Sequence, residues 1–125
     1  RRLGNWQAEA AYLFADSRFR GGARLPQVPK HQGSAQLSFQ RGGALAAAGV
    51  RSYALQFEDD RNTLLLPGYA SVQVYARQRL AAGLSALLSF ENLLGRRYLA
   101  GYTPTPLLGP PRLWRVGLRW EGRLR

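Results

Sequence analysis

The sequence alternates apolar and polar positions with a period of two, and glycine- and proline-rich stretches interrupt this alternation at intervals. Successive side chains of a β-strand point to opposite sides of the sheet, so each alternating segment predicts a strand with one apolar face. In the first segment the apolar parity consists of Trp6, Ala8, Ala10, Tyr12 and Phe14. The predicted strands cover residues 6–16, 34–39, 44–57, 69–77, 84–91 and 113–121. The pattern therefore predicts an all-β fold, an antiparallel meander of about six strands.

Two of these segments leave alternatives open. In residues 44–57 the apolar parity changes from Ala46, Ala48 and Val50 to Tyr53, Leu55 and Phe57. A β-bulge near Arg51 and Ser52 would return both sets to the same side of the sheet. Residues 80–94, taken alone, also fit a helix, because short apolar runs do not distinguish helix from strand. The parity of residues 84–91 and the neighbouring pattern favour a strand.

The connections between the predicted strands alternate between short and long. Residues 41–43 and 80–83 form short turns, whereas residues 19–33, 58–67 and 94–111 form long loops. In an antiparallel meander this places the long loops at one end. Outer-membrane barrels have that asymmetry, with short periplasmic turns and longer external loops, and their tilted strands need about ten residues to cross the bilayer. The pattern therefore predicts membrane-crossing strands, of which the first runs outward.

The two parities of the strands suit a wide barrel. One is apolar enough to face lipid, and the other carries glutamine, serine, glutamate and arginine, as expected for a hydrated lumen. Aromatic residues near strand ends resemble an interfacial belt, although the core of a β-sandwich would also contain them. They are Trp6, Phe14, Phe39, Phe57, Phe90, Trp114 and Trp120. Six strands cannot close a membrane barrel, which needs about eight, so the sequence predicts a partial transmembrane β-barrel.

The formal net charge of +11 makes nucleic acid the first partner to consider. Almost all basic residues are arginines, since Lys30 is the only lysine, and they lie as singles and pairs along the alternating segments. The sequence contains no dense basic block, and its alanine- and glycine-rich, lysine-poor composition is typical of a GC-rich genome. We therefore expect no nucleic-acid partner. A small basic soluble β-domain that binds nucleic acid or protein is the alternative.

The sequence contains no arrangement of residues typical of catalysis. It has no cysteine, and His31 is its only histidine, so we expect no enzyme activity, cofactor or metal site. The acidic run at residues 58–60 could bind a cation such as calcium, although a solvated loop is the simpler interpretation. Glu91, Arg115 and Arg119 fall on the polar parity of adjacent strands. We expect them to be lumen charges and Glu91 to pair with one of the two arginines.

Several segments carry a further pattern, in order along the chain. Residues 25–31 hold a proline pair followed by lysine and histidine, residues 66–69 read Leu-Pro-Gly-Tyr, and residues 91–98 read Glu-Asn-Leu-Leu-Gly-Arg-Arg-Tyr. Together with residues 49–53 and 59–63, these segments resemble the C-terminal end of TonB-dependent outer-membrane receptors. The positions that match the family are Pro26, Pro29, His31, Pro67, Gly68, Tyr69, Asn92, Leu93 and Tyr98.

The chain also departs from the family pattern. Leu94 stands where the family favours phenylalanine, and Gly95 stands where it favours aspartate or asparagine. The family ends its last strand on an aromatic residue that signals barrel assembly, whereas Trp120 is followed by residues 121–125. We expect either that Trp120 serves as this signal or that assembly recognition is impaired. No secretory signal opens the sequence, so we expect an exported protein of this kind to be a fragment.

The resemblance implies a high-affinity receptor and transporter in the bacterial outer membrane for scarce nutrients such as ferric siderophores, cobalamin or glycans. Residues 1–125 would be the C-terminal fragment of its β-barrel, without the plug domain, and would supply wall and external loops. The implied partners are membrane lipid, the rest of the barrel and plug, the TonB complex through the missing N-terminal part, and an unknown small-molecule ligand. A passive porin-like channel is a further alternative. These expectations require the apolar parity to contact lipid rather than to form a compact core.

Overall fold

A computed structural model of the chain describes residues 1–81 and 83–122. No helix in this part of the chain is long and apolar enough to cross a membrane. The strands, in chain order, are β1 (Arg2–Leu3), β2 (Trp6–Phe14), β3 (His31–Arg41), β4 (Ala44–Tyr53), β5 (Gln56–Phe57), β6 (Leu65–Leu66), β7 (Tyr69–Ala81), β8 (Leu84–Glu91), β9 (Leu99–Gly101), β10 (Leu107–Leu108) and β11 (Leu113–Trp120).

The long strands, with the two-residue β1 at one edge, form one antiparallel sheet with the order β1-β2-β3-β4-β7-β8-β11. Each long strand pairs with the next long strand along the chain, which confirms the predicted meander. The pairs β5–β6 and β9–β10 form small sheets within the long connections. Residues 15–30, 54–68 and 92–112 connect the strands at one end of the sheet, here called the loop end. The short turns lie at the opposite end, the turn end.

The third predicted strand is shorter than expected, and the predicted bulge near Arg51 and Ser52 is wrong. β4 pairs with β7 in unbroken register from Ala44 to Tyr53. Tyr53 therefore lies on the same side of the sheet as Arg51. Tyr53 pairs with Tyr69 of β7, and their ring centroids are 5.0 Å apart in a tilted arrangement. Cross-strand aromatic pairs of this kind stabilise a sheet, which favours the unbroken register.

Other strand ends also differ from the prediction. β3 begins at His31, so residues 31–33 belong to the strand although glycine and proline suggested a loop. β7 continues to Ala81, and a register shift against β8 lies between Arg79 and Ala81. The predicted turn at residues 80–83 is thereby shortened, and Ala82 within it lies outside the described residues. Since Leu84–Glu91 forms β8, the helix alternative for residues 80–94 is wrong.

The registers place the apolar parity of the long strands on one side of the sheet. Across its middle, Ala10 pairs with Ala35, Ala35 with Val50, and Val50 with Val72. This side, the apolar face, has as its central members Ala8, Ala10, Ala35, Leu37, Ala46, Ala48, Val50, Val72, Val74, Ala76, Ala86, Leu88, Val116 and Leu118. The opposite side, the polar face, carries Gln7, Glu9, Ser34, Gln36, Ser38, Arg51, Ser71, Gln73, Arg77, Ser85, Ser89, Glu91, Arg115 and Arg119.

The sheet is a single layer whose apolar face is not covered by other parts of the described chain. Trp114 is 65% exposed and Leu118 is 72% exposed, whereas the buried hydrophobic core of residues 1–81 and 83–122 consists of Leu66, at 1%. Soluble domains bury their apolar faces against another layer. An exposed apolar surface of this extent marks a face that contacts something other than water. Residues 1–81 and 83–122 do not form the compact core that would contradict the barrel interpretation.

Candidate functional site

Asn92 organises the third long connection, residues 92–112, at the point where β8 ends. Its side chain is almost completely buried, with 3% of the residue exposed. The side-chain N–H₂ group donates hydrogen bonds to the carbonyl oxygens of Arg96, at 2.8 Å, and Pro110, at 2.9 Å. The side-chain oxygen accepts a hydrogen bond from the Arg96 N–H, at 3.0 Å. Asn92 thus joins the two ends of the connection, while the Leu93 N–H donates to the Val72 carbonyl, at 2.9 Å.

Three tyrosines from different segments stack at the loop end, on the side of the polar face. The Tyr69 ring lies 3.8 Å from the Tyr98 ring with the planes only 8° apart, and 5.0 Å from the Tyr53 ring. We call these residues the tyrosine stack. The family pattern singled out Tyr69 and Tyr98, but sequence reasoning missed Tyr53 because the expected bulge placed it on the apolar side. A regular alternation without the bulge would have placed Tyr53 on the polar face together with Arg51.

Two glycines permit the close approaches that build the tyrosine stack. A Cβ on Gly68 would lie 2.7 Å from the Tyr53 carbonyl oxygen, so the residue between Pro67 and Tyr69 must be glycine for β7 to start beside the end of β4. A Cβ on Gly109 would lie 2.1 Å from the Tyr98 ring. Gly109 also donates a backbone hydrogen bond to the Tyr98 carbonyl, at 2.9 Å. Tyr98 is therefore held between the Gly109 backbone and the Tyr69 ring.

The tyrosine stack borders two clefts that face the loop end. One has a volume of about 560 Å³ and is lined by the three tyrosines together with Pro67, Gly68, Ala70, Leu94, Arg96, Arg97, Leu99 and Leu108. The other, of about 440 Å³, lies over the polar face and is lined by the tyrosines with Arg51, Ser71, Gln73, Glu91, Asn92 and Pro110. Tyrosine rings offer flat apolar surfaces, and guanidinium groups bind anions and stack on aromatic rings. The two clefts are thus suited to a planar or anionic small molecule.

The predicted lumen charges all lie on the polar face. Glu91 accepts a hydrogen bond from Nη1 of Arg115, which is the pairing that the sequence suggested. Arg119 does not take part, because its Nε lies 2.9 Å from a carboxylate oxygen of Glu121. Both ion pairs are well exposed, so we expect each to contribute less than about 1 kcal/mol to stability.

The remaining family positions lie away from the tyrosine stack. His31 is the first residue of β3, on the side of the apolar face, and its Nδ1 lies 2.7 Å from the Tyr12 hydroxyl. Pro26 and Pro29 belong to residues 15–30, where the Gln27 N–H donates a hydrogen bond to the Phe57 carbonyl, at 2.7 Å. The positions that match the family therefore form two groups. Pro67, Gly68, Tyr69, Asn92, Leu93 and Tyr98 lie at or beside the clefts, and Pro26, Pro29 and His31 lie in or directly after the first long connection.

The acidic run at residues 58–60 forms a loop turn rather than a cation site. The Asp59 carboxylate accepts hydrogen bonds from the backbone N–H groups of Leu64, at 2.7 Å, and Thr63, at 2.9 Å, and from the Thr63 hydroxyl. These bonds, that from Leu64 above all, lower the pKa of Asp59 below its ordinary value. Asn62 in the same turn exchanges hydrogen bonds with the Arg24 backbone. Within residues 1–81 and 83–122 no three His, Cys, Asp or Glu side chains are grouped to hold a metal.

Comparison with known proteins gives relatives of one kind. No family model matches the chain. The chain is 33% identical to the ferrioxamine B receptor of Salmonella typhimurium over 107 residues, which cover 74% of this chain and 15% of that protein. It is also 33% identical to the metal-pseudopaline receptor CntO of Pseudomonas aeruginosa over 104 residues, covering 78% and 15%. The chain thus spans only about 15% of the length of these curated relatives.

The structure is similar to solved outer-membrane receptors. It superposes on the ferripyoverdine receptor of the outer membrane of Pseudomonas aeruginosa with a TM-score of 0.77. The match covers 94% of this chain and 18% of that one at 22% identity, so it shows a shared fold.

Proposed function

Because the chain belongs to the TonB-dependent outer-membrane receptors, we propose that the complete protein takes up a scarce nutrient, such as a ferric siderophore, cobalamin or a similar molecule. The observation that supports this most is the pairing of an uncovered apolar face with a polar face that carries two clefts at the loop end. Such a sheet suits a wall between lipid and a hydrated interior. The curated relatives are named as receptors, and the proposed role includes no catalytic step.

Within that protein, we propose that residues 1–125 form the C-terminal part of the barrel wall and three external loops. The motif order along the chain and the 15% share of the curated relatives support this assignment. The plug and the segment that contacts the TonB complex would lie elsewhere in the complete protein. The remaining barrel strands would pair with the sheet edges at β1 and β11, since unpaired backbone groups are costly in lipid.

The ligand would contact the clefts beside the tyrosine stack. Residues 54–68 and 92–112 frame these clefts, whereas residues 15–30 do not line them. By position alone, all three long connections are candidates for ligand contact, and the cleft linings favour two of them. A ferric chelate with aromatic or negatively charged groups would fit, because the rings of Tyr69 and Tyr98 and the guanidinium groups of Arg96 and Arg97 converge there.

Two alternatives make different predictions. A soluble basic domain would have to cover the apolar face, and the described residues leave large side chains such as Leu118 exposed on it. A passive porin-like channel would share the wall and the loops but would need no energy from the inner membrane. Dependence of uptake on TonB therefore distinguishes the receptor from the channel.

Uptake of iron-55 chelates by cells that produce the complete protein tests the proposal. We expect uptake of at least one catecholate or hydroxamate chelate, and we expect this uptake to disappear when TonB is deleted. Tyr98→Ala should reduce uptake several-fold, because it removes the ring that residues 92–112 contribute to the tyrosine stack. Tyr75→Ala, on the polar face of β7 but outside both clefts, is the matched control and should retain uptake. Uptake that continues without TonB would instead support a passive channel.

A further inference from the structure

Four arginines follow one another along the polar face towards the turn end, on the strands β7 and β11. Arg115 of β11 comes first. The next row of same-face positions towards the turn end contains Arg77 of β7, and the row after it contains Arg79 and Arg119, which flank Ser85 of β8. Neighbouring rows are about 7 Å apart, because same-face positions are two residues apart along a strand. We call these four arginines the arginine series.

Small residues keep the polar face open between the arginines. On β11, Gly117 lies between Arg115 and Arg119, and the positions of β8 that pair with these two arginines are Ser89 and Ser85. The nearest contact of a Cβ on Gly117 would be 4.0 Å away. A molecule on this side of the sheet can therefore approach the guanidinium groups.

The arginine series has more cations than carboxylates. Each arginine of β11 is paired with one glutamate, Arg115 with Glu91 and Arg119 with Glu121. In the part of the chain that the structure describes, no carboxylate forms an ion pair with the two arginines of β7. The paired arginines keep side-chain exposures of 57% and 59%, and a guanidinium has five N–H donors. All four side chains therefore retain donors for a further anion.

The arginine series continues the positive charge of the clefts. Glu91 lines the cleft of about 440 Å³ over the polar face and also binds Arg115, so the series begins at the edge of that cleft. Arg51 lines the same cleft, whereas Arg96 and Arg97 line the cleft of about 560 Å³. Basic side chains therefore extend from the clefts to the turn end.

We propose that the arginine series is a path along which an anionic ligand moves from the clefts towards the turn end. The proposal rests on the proposed function, which makes the polar face the wall of a hydrated interior, and it assigns a negative charge to the transported chelate. Oxygen atoms of the chelate would accept hydrogen bonds from one guanidinium after another. The step of about 7 Å between rows is shorter than the Debye length of about 8 Å at physiological salt, so an anion that leaves one arginine is already attracted by the next.

A fixed acidic segment of protein would also match the charge of the arginine series. Such a segment would need its carboxylates at the positions that Glu91 and Glu121 occupy, because these residues already bind two of the four arginines. Exposed pairs of this kind are weak, which suits the passage of a mobile anion better than a permanent contact. The observations therefore favour a small anionic ligand.

Initial rates of iron-55 uptake by cells that produce the complete protein test the proposal, with an anionic ferric tris-catecholate and an uncharged ferric tris-hydroxamate as probes. We expect Arg77→Gln combined with Arg79→Gln to lower the maximal rate for the catecholate several-fold and to leave the rate for the hydroxamate unchanged. The dissociation constant of the catecholate, measured on the purified complete protein, should stay the same, because both arginines lie outside the clefts. Arg77→Lys combined with Arg79→Lys keeps both charges and should restore most of the rate.

The matched control is Arg41→Gln, which removes a cation at the turn end of the apolar face and should change neither rate. Equal losses for both probes, or TonB-dependent uptake of the uncharged probe alone, would overturn the proposed path. An unchanged catecholate rate in the glutamine variant would also overturn it, and a lower melting temperature of that variant would then indicate a fixed acidic partner. Absence of TonB-dependent uptake of either probe by the unaltered protein would instead contradict the proposed function itself.

Discussion

Single residues at the loop end decide how closely the connections approach the sheet. Gly68 and Gly109 allow contacts that no other residue could make, and the buried Asn92 satisfies three backbone groups. The family pattern pointed to Gly68 and Asn92 but not to their contacts. Gly109 was missed, because a glycine packed beneath an aromatic ring has no periodic signal in the sequence.

Replacement of Gly109 by alanine should displace Tyr98 from the tyrosine stack. The new Cβ would lie 2.1 Å from the Tyr98 ring, and relief of such a clash costs about 1–3 kcal/mol. We expect several-fold weaker binding of the transported chelate, measured by isothermal titration on the complete protein. Gly117→Ala in β11 is the matched control, since its nearest contact would be 4.0 Å away. Unchanged affinity in Gly109→Ala would show that Tyr98 does not shape the ligand site.

At the scale of the elements, parity predicted the long strands and most of their faces, and the register confirms them. The exception is the end of β4, which stops at Tyr53 without a bulge and so places Tyr53 on the polar face. The pairs β5–β6 and β9–β10 could not be predicted, because two- or three-residue strands contain no measurable period. The links between the connections were also invisible in the sequence. Residues 15–30 and 54–68 are joined by Asn62 with the Arg24 backbone and by Gln27 with the Phe57 carbonyl, so we expect them to move together.

The turn at residues 59–64 should depend on the ionised form of Asp59. Because hydrogen bonds lower the pKa of this carboxyl in the folded chain, its contribution is complete above the ordinary aspartate pKa and is lost as the pH falls through the lowered value. At neutral pH, Asp59→Ala should therefore open the turn and speed cleavage by trypsin after Arg61. Asp60→Ala, the neighbouring control, should not. Equal cleavage rates in the two variants would contradict this role.

At the scale of the whole molecule, the sheet has one apolar face and one polar face, and the part of the chain that the structure describes adds no second layer to it. The sequence predicted this division, because a period of two needs no knowledge of distant contacts. It could not predict the tyrosine stack, which depends on how the long connections fold back onto the sheet. The apolar face combines a middle of alanine, valine and leucine with aromatic residues towards both ends, including Trp6 and Phe39 at the turn end, 4.8 Å apart. This distribution suits a membrane interior between two interfaces.

Site-directed spin labelling of β11 in the complete protein, reconstituted in lipid bilayers, tests the central claim most directly. Single labels at positions 115, 116, 117 and 118 would be measured for collision with oxygen, which concentrates in lipid, and with a water-soluble nickel chelate. We expect high oxygen accessibility at positions 116 and 118 and higher nickel accessibility at 115 and 117, because Val116 and Leu118 lie on the apolar face. Labels at 116 and 118 that are shielded from both reagents, as in a packed protein core, would contradict the account.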